Sequence, residues 1–464
     1  MAVGRGKTRG AKPEGAARYI LSVWRGRAVF AFKNRRGECE MADYFAMSRP
    51  QQKAELERLR KLYKGFADEG LNLDMSRGKP SPDQLDLSME MLTITDYRGE
   101  TGIDSRNYGN LEGMPEARRF FADFLGAKPE EVIVGGNSSL NMMYYLIDLG
   151  WRQGFADSTA AWNTYGKPKF LCPAPGYDRH FRVTEYFGFE LVTVPMQPTG
   201  PDMDLVEQLV RDKAVKGMWC VPLYSNPDGY SCSDDTVRRL AAMETAAPDF
   251  KIMWDNAYGV HHLKDRPDTV LNLLEECRAA GHEDRALMFC SLSKVTFPGA
   301  SVAAMAASRR NIDYILKNMF PMIISYDKLN QVRHVRFLKD MDGLAAHMEK
   351  HRRILEPKFK AVLSLLQDGL GGCGPIARWT DPNGGYFLSL YTQAGCAKRT
   401  VQLCREVGVA LTDAGAAYPY GIDPQDSNIR IAPTFPPLHE LEEATRLLCV
   451  CVRIATLEKL LAKN

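Results

Sequence analysis

Along the chain, hydrophobic and polar positions change their rhythm three times. From Gln51 to Glu69 charged and apolar residues fall at helical spacing, and Leu71 to Pro80 then reads as extended. Beyond Leu111 the pattern becomes regular. Short apolar runs recur at Val132–Val134, Phe170–Cys172, Glu190–Val194, Met218–Val221, Ile252–Trp254, Leu287–Cys290 and Val302–Ala306. Most are separated by stretches long enough for a crossover helix. This alternation predicts an α/β fold whose large domain has a mostly parallel seven-stranded sheet with helices on both faces. In such sheets ligands bind where loops leave the carboxyl ends of the strands. After about Lys328 come long charged helices, a turn at Asn383-Gly384-Gly385 and short strands, which predict a second, smaller α+β domain.

Composition adds exclusions. The 464 residues suffice for two domains, and 45% hydrophobic with 25% charged residues is ordinary for a globular protein. No apolar run approaches the ~20 residues that span a bilayer, so no membrane association is expected. The net charge of +3 hides an asymmetry: residues 1–40 hold ten Lys/Arg against three Asp/Glu, so +7 sits there and −4 on the remainder. A mildly acidic body does not call for nucleic acid. The basic segment has one short apolar patch, Tyr19 to Phe32, broken by Arg25 and Arg27, a poor signal-peptide core. A transit peptide, a disordered arm, or an upstream extension before a start at Met41 are the three readings, and the last is favoured. Eleven cysteines without metal spacing, Cys449 and Cys451 among them, suit buried small hydrophobes in a reduced, cytoplasmic protein. The eight histidines form no ligand cluster, and adjacent His261 and His262 point apart, so no metal site is expected.

Four segments carry chemistry. The strand Leu287–Cys290 runs into Ser291-Leu292-Ser293-Lys294. A lysine there can be partly desolvated, which lowers its pKa and makes the amine nucleophilic; alone, it reads better as a solvated loop lysine. Asp255 ends the apolar run Ile252-Met253-Trp254, where a carboxylate needs a cationic or donor partner, either a protonated ring nitrogen or a helix cap or salt bridge. Asn226-Pro227-Asp228-Gly229 follows a third strand and by itself is a turn. Gly135-Gly136-Asn137-Ser138 leads into a helical run, and exposed helix N-terminal amides suit a phosphate.

Taken together and in order, these segments resemble the fold type I pyridoxal-phosphate (PLP) enzymes, within them the aspartate aminotransferase superfamily. The resemblance runs from about Arg77 to Thr434 and rests most on Asn226-Pro227-Asp228-Gly229, Asp255-Asn256-Ala257-Tyr258, Ser291-Leu292-Ser293-Lys294 and Asn428-Ile429-Arg430. Ser76-Arg77-Gly78-Lys79-Pro80 and Lys328-Leu329-Asn330-Gln331-Val332-Arg333-His334 resemble a bacterial aspartate aminotransferase subgroup related to the PLP domain of MocR-type regulators. The implied division is a basic extension over 1–46, small-domain residues 47–95 and 341–464, and a large PLP-binding domain over 96–340.

The resemblance implies roles. Lys294 carries the cofactor as a Schiff base and shuttles the proton. Asp255 keeps the pyridine nitrogen protonated. Asn226 and Tyr258 hydrogen-bond the phenolate oxygen, and Tyr177 stacks on the ring. Gly136, Asn137 and Ser138, with Ser291 and Ser293, hold the phosphate, which Tyr108 reaches across a homodimer interface. Arg430 clamps the substrate α-carboxylate with its planar fork, approached also by the backbone of Gly78. Asn226 adds to substrate binding. Arg77, Lys79 and Lys328 are candidates for reading a side-chain carboxylate, with Lys79 singled out. One departure stands out: relatives carry a phosphate-neutralising arginine where Ser301 falls here. The expected activity is transfer of an amino group from an L-amino acid, favoured aspartate, to 2-oxoglutarate by a ping-pong mechanism. Alternatives are an alanine- or aromatic-preferring transaminase, a β-elimination lyase, or a MocR-like regulator.

Overall fold

The apolar runs become strands because their residues are buried on both sides. The computed structural model describes residues 43–462; all but the last four residues of the expected basic extension, 1–46, lie outside the described residues. In chain order the described strands are β1 (Leu73–Asp74), β2 (Val132–Val134), β3 (Lys169–Ala174), β4 (Glu190–Gln197), β5 (Gly200–Pro201), β6 (Val215–Cys220), β7 (Lys251–Asp255), β8 (Ala286–Ser291), β9 (Ala303–Ala307), β10 (Ala377–Trp379), β11 (Leu388–Thr392), β12 (Val409–Ala410) and β13 (Asn428–Ile431).

The large sheet runs β2-β9-β8-β7-β6-β3-β4-β5. Neighbours from β8 through β4 are parallel, β9 runs antiparallel to both β2 and β8, and the two-residue β5 turns back on β4. The seven expected strands are all present, with β5 added at the edge. Side chains alternate between two cores. Ile252 and Trp254 of β7 join a cluster with the helices Pro115–Leu125, Asp234–Ala242 and Leu273–Ala279. Met253, between them, joins the opposite cluster with Ser139–Arg152, Asp178–Tyr186 and Arg309–Met319. A strand buried on both faces has to be apolar at every position, which is why these segments read as unbroken hydrophobic runs.

A second sheet, β10-β11-β13, is antiparallel. The C-terminal helix Leu438–Ala462 packs against Arg49–Asp68, Met341–Leu370 and Ala397–Glu406. β1 pairs in parallel with β12, and the Ala432 amide donates to the Met75 carbonyl at 3.2 Å. These contacts bring the extended segment after Met75 alongside β13. Among the described residues no helix is long and apolar enough to cross a membrane, no three-ligand metal cluster forms, and ten buried cysteines form no disulfide.

Candidate active site

The carboxyl ends of β2, β3, β7 and β8 open onto one cavity of about 180 Å³. Ser138, Tyr177, Asp255, Tyr258, Ser293 and Lys294 are among its lining residues. β2 runs through Gly135–Ser138 into the helix Ser139–Arg152, whose first amides have no partner within the helix. Gly135 packs closely on the helix: a methyl group in its place would stand 2.8 Å from the Met142 sulfur. The loops around the helix start are tied together. Ser293 Oγ donates to the Asn137 carbonyl at 3.2 Å, and the Ala303 amide to the Gly136 carbonyl at 2.8 Å.

Asp255 sits at the floor, 3% exposed. Its Oδ2 accepts from His180 Nε2 at 3.0 Å. His180, 1% exposed, stacks on Trp219 with centroids 4.4 Å apart and planes 10° apart. Tyr177 meets the same imidazole edge-on at 4.9 Å. The second carboxylate oxygen, Oδ1, is buried without a hydrogen-bond partner. A buried unpaired carboxylate oxygen is costly, so Asp255 is held in one orientation with one acceptor left over.

Lys294 lies half-buried on the cavity wall, its Nζ 4.7 Å from the centre of the Tyr258 ring. Burial holds its amine below the ordinary lysine value, while the Asp255 carboxylate pulls the other way. Burial likewise raises the Tyr258 phenol well above its usual range and pushes Tyr177 up to about 12, so both hydroxyls stay protonated donors at neutral pH. Behind Lys294 the backbone is clamped. His261 Nε2 and the Tyr386 hydroxyl both donate to the Lys294 carbonyl at 3.3 Å, and His347 Nε2 donates to the Val295 carbonyl at 2.9 Å. Burial pushes His261 down to about 3, with His351 and Lys294 adding to the effect. A neutral His261 fixes its one proton on Nε2.

Arg430, in the middle of β13, enters from the side. Its Nη1 bonds Asp178 Oδ1 at 3.2 Å and Asn226 Oδ1 at 3.3 Å, and Nη2 bonds Thr412 Oγ1 at 3.2 Å. Its Nε is buried without a partner, and the Phe387 ring lies 5.0 Å from the guanidinium. Gly78 packs on that same ring, where a methyl group would stand 2.3 Å from a ring carbon. The expected residues Gly136, Asn137, Ser138, Tyr177, Asn226, Asp255, Tyr258, Ser291, Ser293, Lys294, Arg430 and Gly78 thus gather at one end of the sheet. Two expected residues stand apart. Tyr108 is 79% exposed in this chain. The Lys79 ammonium lies 3.8 Å over the Phe435 ring. Ser301 is buried, with its hydroxyl on the neighbouring Val302 carbonyl at 3.4 Å.

Sequence reasoning missed His180, Trp219, His261 and Tyr386. A weak signal existed for the first: His180 follows Tyr177 by three positions, one helical turn, in a segment leaving a strand end. The others reach the site only through tertiary packing.

The sequence model of the aspartate amino-transferase family matches residues 47–464. A putative aminotransferase of Mycolicibacterium smegmatis is 49% identical over 397 residues, 84% of this chain and 92% of that protein. An aspartate aminotransferase of Corynebacterium glutamicum is 44% identical over 405 residues, 87% of this chain and 94% of that one. The crystal structure of an aspartate transaminase from Corynebacterium glutamicum superimposes with a TM-score of 0.88 at 41% identity, covering 90% of this chain and 99% of that chain.

Proposed function

The chain belongs to the aspartate aminotransferase family of PLP-dependent enzymes, and from that premise we propose that it transfers the amino group of L-aspartate to 2-oxoglutarate by a ping-pong mechanism. The observation that carries the reading is the pairing of a desolvated Lys294 amine with an Asp255 carboxylate that has one buried oxygen unpartnered. An acceptor so placed suits a protonated ring nitrogen, and an amine of lowered pKa suits nucleophilic attack and proton transfer. PLP, when bound, supplies the aldehyde that condenses with amines and the ring that takes up the electron pair left by a departing Cα proton.

The chain's own residues do the rest. Lys294 would hold the cofactor, and its amine, kept below the ordinary lysine value by burial, would serve as the base at the substrate Cα. Asp255, oriented by His180, would hold a proton on the cofactor's ring nitrogen. Tyr258 and Asn226 would meet the ring oxygen, Tyr177 would cover the ring, and Gly136, Asn137, Ser138, Ser291 and Ser293 would hold the phosphate. Arg430 takes the α-carboxylate in a two-pronged grip, exchanging its contacts with Asp178 and Thr412 for those of the substrate; the Gly78 backbone lies beside it. Lys79 reads the side-chain carboxylate by leaving the face of Phe435. Tyr108, exposed in one chain, serves the phosphate site of a second copy in a homodimer. Aspartate as donor is favoured by the Corynebacterium relative that carries that activity in its name.

The test is visible absorbance of the purified protein, first with L-aspartate alone and then with 2-oxoglutarate. The expected result is a yellow band that bleaches with aspartate and returns with the oxo acid. A band that ignores aspartate but bleaches with alanine or an aromatic amino acid replaces the donor. Ammonia and pyruvate released without any oxo acid replace the reaction with β-elimination.

A further inference from the structure

Four lysines among the described residues are more than nine-tenths buried: Lys216, Lys251, Lys328 and Lys358. Three have their charge answered. Lys216 Nζ meets Asp249 at 3.1 Å, Lys251 Nζ meets Asp157 at 2.6 Å, and Lys358 Nζ donates to the Thr434 carbonyl at 2.8 Å. Lys328 differs. It is 3% exposed and its Nζ, shut off from solvent, has no hydrogen-bond partner. Burial lowers its pKa, and the only counter-pull comes from Asp104, with which it makes no ion pair. An ammonium removed from water with no anion beside it is strongly unfavourable.

Its surroundings say which anion fits. Lys328 is the first residue of the helix Lys328–Leu338, and residues on either side touch the walls of the Gly136–Ser138 cradle. Two positions before it, the Tyr326 ring packs where a methyl group on Gly136 would stand 3.5 Å away. Two positions after it, Asn330 Nδ2 donates to the Ala300 and Ser301 carbonyls at 2.8 and 2.9 Å. Asn137 Nδ2 donates to Gly299 in that same bend at 3.5 Å. The cradle itself offers only neutral donors: Gly136, Asn137, Ser138, Ser291 and Ser293, with Ser301 alongside. The helix start behind it adds about half a charge, whereas a phosphate monoester carries about −1.5 to −2 at neutral pH. The cradle's named donors lack a cation, and the buried ammonium between Tyr326 and Asn330, both of which pack on the cradle or the adjoining bend, lacks an anion.

We infer that Lys328 supplies the positive charge for the phosphate end of the cofactor, rather than reading a substrate side chain. The inference rests on the proposed placement of the phosphate at Gly136–Ser138. Lys328 neutralises the phosphate as a point charge across the Tyr326–Asn330 turn, and this turn takes over a task that a residue at the Ser301 bend cannot perform with a hydroxyl.

The experiment strips the cofactor and measures equilibrium binding of PLP and of pyridoxal, which lacks the phosphate, to wild type, Lys328→Met and Lys328→Arg. Wild type is expected to prefer PLP strongly, K328M to lose roughly 10- to 100-fold of that preference as one charge-assisted contact goes, and K328R to recover most of it. Apo K328M is expected to melt no lower than apo wild type, because an unpaired buried charge has been removed. If K328M keeps the wild-type ratio of PLP to pyridoxal binding, Lys328 is not the phosphate's cation. If apo K328M is strongly destabilised at an unchanged ratio, Lys328 pairs instead with Asp104 or with a carboxylate of a second copy. If wild type itself binds pyridoxal as well as PLP, the failure lies in the placement of the phosphate and takes the inference with it.

Discussion

Replacing His180 by phenylalanine isolates a single hydrogen bond. The phenyl ring keeps the face that stacks on Trp219 and the edge that Tyr177 meets, and deletes only the N–H that Asp255 Oδ2 accepts at 3.0 Å. Both residues are at most 3% exposed, so bulk solvent does not replace the lost donor. A hydrogen bond to a charged group contributes about 1.5–3 kcal/mol. With Oδ1 already unpartnered, H180F leaves both oxygens without a protein donor and removes the contact that fixes the carboxylate's orientation. A carboxylate free to turn is poorly placed to accept from a ring N–H. The expected loss in kcat/KM is about 10- to 100-fold, the kinetic equivalent of about 1.4–2.7 kcal/mol. His180→Gln, whose amide can donate, should recover part of it. Steady-state kinetics, PLP titration of the apo-protein and near-UV circular dichroism together make the assay. Wild-type kcat/KM and PLP affinity in H180F would refute the claim that this bond orients Asp255 for the cofactor. Equal losses in H180F and H180Q, with altered dichroism in both, would assign the effect to packing.

Three further outcomes can be checked. Arg430→Lys keeps the charge but loses the fork, and should raise KM for every amino donor by roughly 10- to 100-fold; an unchanged KM would remove Arg430 from carboxylate binding. Lys79→Ala should raise KM for aspartate more than for alanine, and equal shifts would remove Lys79 from side-chain recognition. Acid should destabilise the fold through its neutral histidines: burial pushes His261 and His351 down to about 3 and His334 to about 4. These groups take up a proton below about pH 6.5 only when unfolded, so stability is complete above that pH and falls as pH drops toward 4, by about 1.4 kcal/mol per pH unit for each. Denaturant titrations from pH 7 to 4.5 read the slope, and a flat profile would contradict it.

The large sheet was legible because its strands are buried on both faces, so a one-dimensional run of apolar residues carries a three-dimensional fact. The two-residue β5 was not, since Gly200-Pro201 has neither the length nor the pattern of a strand and pairs only because β4 ends beside it. The site was legible where a residue stands at the end of such a run: Asp255 closes β7, and Lys294 follows β8 by three positions. His261 and Tyr386 were not, because they act on a carbonyl 33 and 92 residues away. A backbone oxygen leaves no mark in a sequence.

The lysines make the same point with charge. Lys216 and Lys251 sit on β6 and β7 toward the amino ends of the strands, and Lys294 sits beyond the carboxyl end of β8. In the sequence all three are lysines beside apolar runs, and only the position of Lys294 beyond the carboxyl end of its run hints at a difference. What separates them is pairing. Lys216 and Lys251 meet Asp249 and Asp157, partners 33 and 94 residues distant, and a paired buried charge is structural. Lys294 has burial and a cavity but no bonded carboxylate, so its proton is loosely held and its lone pair is within reach. Lys328 has burial without a partner and without solvent, an arrangement that an anion beside it would relieve. Reactivity and anion binding therefore follow from which acidic residue is missing beside a lysine, a property of the folded neighbourhood that no residue in the chain encodes alone.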